Sequence, residues 1–138
     1  MKVFSIPVMA ALVVVSLGLP AAAGAAGSLR DLKPVDDGLK IVAIGNAIRK
    51  TCPTISARKI TAFFYMRGLA EQARAAGFSD AEIETYVENP IEKARVVAAA
   101  RAYLASKGAK PDDPDSHCAV GRAEIERNSQ VGRLLRMN

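Results

Sequence analysis

The chain has 138 residues, 50% hydrophobic and 24% charged, with a formal charge of +5 and no tryptophan. That length holds one compact domain and excludes a multidomain enzyme. Mixed charge and apolar residues spread along the chain exclude intrinsic disorder, and no collagen period, heptad array or zinc-ribbon spacing occurs.

Met1–Lys2 precede an apolar run, Val3–Leu19, which Pro20 breaks before the small residues Ala21–Ser28. A positive start, an apolar stretch and an A-x-A-like end make a secretory signal peptide. Cleavage is expected after Ala25 or Ala26, leaving a signal segment 1–26 and a helical domain 27–138. An uncleaved anchor is the competing reading, because the run is close to the ~18-residue minimum for a membrane span. Pro20 and the small-residue tail favour cleavage. No Cys follows the run, so a lipid anchor is not expected. The expected location is periplasmic, without a stable membrane anchor.

Ser28–Val35 reads as a lead-in, with Pro34 holding Lys33 extended. Asp36 or Asp37 caps a first helix to about Thr51, whose Ile41, Ile44, Ile48 and Cys52 form one stripe. Pro53 stops it. A second helix is expected over Ala57–Ala76, with Ile60, Phe63, Phe64, Met66 and Leu69 inward and Gly77 ending it. Ser79 and Glu82 then have the spacing of a capping box, flanked by Phe78 and Ile83 at staple positions. They open a third helix, Asp80–Glu88. Asn89 caps a fourth, Pro90–Ser106, whose Ala98–Ala100 segment suits close helix packing. Asp113 before Pro114 opens a fifth, to about Arg127, with Cys118, Gly121 and Ile125 on one side. The tail, Asn128–Asn138, is expected to turn once and add a short amphipathic segment through Val131, Leu134 and Leu135. No strand-like alternation is evident, so the fold expected is all-α: a single small domain of about five helices.

Cys52 and Cys118 are the only cysteines, and export makes a structural disulfide between them the expected state. Two free thiols or an intermolecular pair are the alternatives. His117 is the only histidine, beside Asp113, Asp115 and Cys118. Zinc needs three or four convergent ligands, and a polar residue in a first helical turn is the simpler account. The acidic run Asp112–Asp115 lacks the Gly and distal Glu of a calcium loop. Glu82, Glu84, Glu88 and Glu92 could pair for acid–base work, but they fall at helix starts and on solvent faces. The serines have no nucleophile-elbow context, and Tyr65, Tyr86 and Tyr103 suit positions spanning core and surface. No catalytic residue, metal site or cofactor site is expected.

Without Lys2, residues 27–138 hold 18 Lys+Arg against 14 Asp+Glu, a net charge of +4. The basic residues are dispersed, and nucleic acid is not an expected partner. Arg122, Arg127, Arg133 and Arg136 do gather toward the end, which leaves an acidic partner or a membrane surface open for that tail.

Several segments together carry a family resemblance: Asp37-Gly38-Leu39, Ile48-Arg49-Lys50 before Cys52, Ile55–Arg58, Gly77–Glu84 with Tyr86-Val87, Tyr103–Gly108, and Cys118 with Gly121, Ala123–Ile125 and Gly132–Leu135. The chain resembles a family of short exported alphaproteobacterial proteins classed as a domain of unknown function. That resemblance implies export, a helical domain and paired cysteines, and it assigns no catalytic residue. The leading expectation is therefore a periplasmic helical protein, not an enzyme, that binds another protein or serves structurally. A stress holdase that opens in acid is the second expectation. A small-ligand carrier or enzyme is the third, and would show a sizeable apolar pocket with convergent polar groups.

Overall fold

The computed structural model describes residues 27–138, so the signal segment expected over 1–26 lies outside the described residues. Six α-helices and two short strands follow one 3-10 turn: α1 Lys33–Thr51, β1 Ile55–Ala57, α2 Lys59–Ala75, α3 Asp80–Glu88, α4 Pro90–Ser106, α5 Pro114–Glu126, α6 Gln130–Arg133 and β2 Leu135–Met137. The 3-10 turn, Leu29–Asp31, has its own capping box between Ser28 and Asp31.

α1 starts earlier than the acidic pair suggested. Pro34 lies in its first turn, where an amide donor is not needed, so the proline sits inside the helix instead of holding the chain extended. Asp36 is accordingly no cap. It is a buried first-turn residue whose carboxylate meets Arg95 and, at 2.7 Å, Lys40. The apolar stripe closes inward as expected, with Ile44, Ile48 and Cys52 buried. Cys52 is bonded to Cys118, their Cα atoms 5.0 Å apart across a sequence separation of 66. The bond ties the end of α1 to the start of α5. Gly121, one turn beyond Cys118, leaves no room for a Cβ against Ile48 and Ile55, and this close approach seats α5 on α1 and β1.

The two strands were not foreseen. β1 and β2 pair antiparallel, Ile55 with Met137, Ser56 with Arg136 and Ala57 with Leu135. The ladder continues beyond both ends through Arg58 N–H to Leu134 O at 2.8 Å and Asn138 N–H to Thr54 O at 3.0 Å. Ile55 and Leu135 turn into the main core beside the disulfide, while Arg136 Nε donates to Ser56 Oγ on the other face. The tail thus ends as a strand, although its Val131, Leu134 and Leu135 are buried as the sequence suggested.

A second, smaller apolar cluster holds Leu29, Val35, Ala73 and Phe78, with Ile83 packed against it. Phe78 and Ile83, the staple pair, therefore share one cluster at the entry to α3. Ser79 Oγ accepts from Glu82 N–H at 3.2 Å, and Glu82 Oε2 accepts from Ser79 N–H at 2.7 Å. Asn89 Oδ1 accepts from Ile91 N–H and Glu92 N–H at 2.9 and 3.2 Å. Gly77, at φ 97°, supplies the left-handed step between α2 and α3.

Candidate interaction site

α2 departs most from expectation. Its buried residues are Leu69 and Ala73, with Ala62 and Tyr65 half-buried. At about 100° per residue these four form one stripe, and that stripe faces the domain. Ile60, Phe63 and Phe64 lie on the opposite side of the helix. They are 76%, 61% and 61% exposed, so the expectation that they point inward is corrected. Met66 is also exposed. The inner stripe is narrow and rich in small side chains, and the bulky apolar residues of the first two turns are left outside.

Isolated exposed apolar residues are ordinary, whereas a contiguous group marks an interaction surface. Ile60, Phe63 and Phe64 stand at i, i+3 and i+4, so their side chains adjoin. The two Phe rings meet edge-on, centroids 5.4 Å apart. Burying each fully is worth about 1.5–3 kcal/mol, and folding of this chain leaves most of that uncollected. Farther along the same face come Arg67 and Glu71, paired at 3.2 Å.

Ile60 also borders a cleft of about 760 Å³, formed by the segment Ile55–Ile60 together with Arg49, Arg136 and Asn138. Arg49, Arg58, Lys59 and Arg136 are exposed there. A second cleft, about 620 Å³ between α1 and α4, has Ala43, Ala47, Ala100 and Leu104 in its lining. Its charged residues Lys50, Arg101, Lys110 and Asp112 are all exposed.

Of the residues weighed for chemistry, Asp113, His117, Glu82 and Glu92 hold structural contacts, whereas Glu84 and Glu88 lie exposed on α3. Among the described residues no three His, Cys, Asp or Glu side chains converge as metal ligands. Asp113 caps α5 through Asp115 N–H and Ser116 N–H, and His117 Nδ1 lies 2.9 Å from the Asp113 carbonyl oxygen. Glu82 is committed to its capping box, whose backbone hydrogen bond from Ser79 holds the carboxyl below the usual range. Glu92 joins Arg30 and Arg95; the hydrogen bond from Arg30 is the main reason its pKa falls to about 2. With Asp36 and Tyr86, whose OH accepts from Arg95 at 3.0 Å, this network joins the 3-10 turn, α1, α3 and α4.

One buried carboxylate was missed. Glu124, and not Ile125, is the fully buried residue of α5. It accepts from Tyr103 OH, Ser129 Oγ and Arg127 Nη2. Burial opposes its ionisation, but these three donors outweigh it and hold its pKa below the ordinary value. A cap-forming Ser directly before α6 was the available signal: Ser129 also accepts from Gly132 N–H at 3.0 Å. Gly132 in turn lies against the Glu124 carbonyl, where a Cβ would collide.

These features define a disulfide-stapled helical domain with an outward apolar stripe beside a cationic cleft. The chain belongs to DUF5333, a family of unknown function, which matches residues 27–136. No curated protein and no solved structure matches the chain.

Proposed function

We propose that this is an exported, periplasmic, non-catalytic protein that acts by binding another protein through the outward face of α2. The observation that carries the reading is the placement of Ile60, Phe63 and Phe64 in water, opposite the stripe that holds α2 to the domain. Export is supported by the charge, apolar run and small-residue tail of the first 26 residues and by a cysteine pair suited to an oxidising compartment. A non-catalytic role is supported by the structural duties of Glu82, Glu92, Glu124 and His117 described above.

The test is affinity capture from extract of the producing cells, comparing the native protein with a Phe63→Ser, Phe64→Ser double variant. Both substitutions fall on solvent-exposed positions, so the variant should melt within about 0.5 kcal/mol of the native protein. The native protein should retain a partner that the variant loses. Equal recovery by both would remove α2 as the binding face.

A further inference from the structure

The cleft beside α2 specifies what the partner carries. It follows six consecutive residues, Ile55–Ile60, along β1 and into the first turn of α2, and is completed by Arg49, Arg136 and Asn138. Its lining holds four cationic side chains, Arg49, Arg58, Lys59 and Arg136, and no Asp or Glu. Elsewhere among the described residues several cations are matched, Arg30 to Glu92, Lys40 and Arg95 to Asp36, Arg74 to Asp80, Arg127 to Glu124, and others such as Lys93, Arg122 and Arg133 are not; the cleft differs in gathering four cations in one lining. Among the described residues none of the four cleft cations has a carboxylate within ion-pair distance. Four cationic side chains along one concavity give it a positive potential that draws in and orients anionic groups.

Two further features give the occupant its shape. β1 has β2 on one edge only. Because Thr54 and Arg58 bond across to β2, the alternation of an antiparallel ladder turns the Ala57 peptide group toward the edge without a strand partner, while Ile55 on that edge is buried and its N–H donates to the Cys52 carbonyl oxygen at 3.5 Å. Ile60, in turn, belongs both to the cleft and to the apolar stripe with Phe63 and Phe64. A planar bilayer would touch the helix but could not enter the cleft, whereas an extended chain can do both.

We propose that the cleft takes an extended acidic segment of a protein, its carboxylates on Arg49, Arg58, Lys59 and Arg136 and a large apolar side chain beside them on Ile60, Phe63 and Phe64. This inference rests on the reading of α2 as the binding face. A main-chain hydrogen bond at Ala57 would add affinity without sequence demands, and the cations and the apolar stripe would set the specificity.

The experiment is fluorescence anisotropy with the full domain and a labelled glutamate-rich peptide carrying phenylalanine at one end. The comparison probes are the same peptide with lysine for glutamate, inorganic phosphate, and phosphatidylglycerol vesicles. The glutamate peptide should bind with an affinity on the order of micromolar that weakens as salt is raised, and the lysine peptide should not bind. Arg58→Glu with Arg136→Glu should weaken binding by about tenfold or more, and Phe63→Ser with Phe64→Ser should weaken it without changing its salt dependence. Glutamate and lysine peptides binding alike would overturn the proposal. So would full displacement by phosphate, or vesicle binding without peptide binding. If the cellular partner is lost with the Phe variant but kept by the Arg58, Arg136 variant, the acidic-segment proposal fails while α2 remains the binding face. If neither variant loses it, both readings fail.

Discussion

Replacing Cys52 and Cys118 together by alanine, or reducing the native protein, measures how far this small core depends on one covalent bond. The sulfurs lie in the larger core cluster among Ile44, Ile48, Ile55 and Leu135, and the bond closes a loop of sequence separation 66. For a loop of that size the lost chain entropy of the unfolded state amounts to about 4 kcal/mol. A domain of this length is expected to be stable by about 5–15 kcal/mol in total, so the bond supplies a large share. Melting of a domain this size moves by about 4 °C per kcal/mol, which gives a fall of about 15–20 °C. Far-UV circular dichroism through thermal and urea melts, with and without reductant, reads this out. The urea slope should rise on reduction, because the unfolded chain expands once the loop is open. Cys52→Ala, Cys118→Ala and the double variant should be equally destabilised, since each abolishes the same bond. Oxidised and reduced proteins melting within a few degrees of each other would refute the reasoning.

Ser79→Ala removes the acceptor for Glu82 N–H and half of the capping box; a loss of about 0.5–2 kcal/mol is expected in urea melts. Glu124→Ala strands the Tyr103 hydroxyl and Arg127, for an expected loss of about 2–4 kcal/mol, while Glu124→Gln, which keeps an acceptor, should lose less. In acid, the relevant carboxyls are Asp36, Glu92 and Glu124, all held below their ordinary values in the folded state. Their stabilisation is complete above the unfolded values, 3.8 for Asp and 4.5 for Glu, and is lost as pH falls toward about 2 for Glu92. The Tm should therefore hold level from neutrality to about pH 5 and drop below about pH 4; a drop already complete by pH 5.5 would assign acid sensitivity to other groups. A holdase role would show in the same acid range as suppressed light scattering by an aggregating client.

Local chemistry made the helices legible. Pro53 after Cys52, the Ser79–Glu82 box, Asn89 before Pro90 and Asp113 before Pro114 each act within a few residues. The strands depend on a contact between residues 55–57 and 135–137, and three-residue runs carry too little alternation to announce such a pairing. α2 misled for a different reason. Bulky Ile60, Phe63 and Phe64 suggest an inner face, yet the face that packs is made by Ala62, Tyr65, Leu69 and Ala73, where Leu69 fits against Gly38 without room for a Cβ. Two apolar stripes on opposite sides of one helix were present in the sequence, and one of them had to face water. Glu124 was hidden because a carboxylate in mid-helix ordinarily marks a solvent face; its burial depends on Tyr103 arriving from α4, with Ser129 closing over it from the turn before α6.

Site-specific photo-crosslinking tests the binding role of α2 most directly. A benzophenone-bearing amino acid is placed at Phe63 in the full-length protein, and in a separate variant at Arg122, an exposed position on α5. Irradiation of intact producing cells should give a discrete adduct from position 63 that is absent from position 122 and that disappears when Phe64 is changed to serine. No adduct at position 63, or the same adducts from both positions, would contradict the assignment of α2 as the binding face.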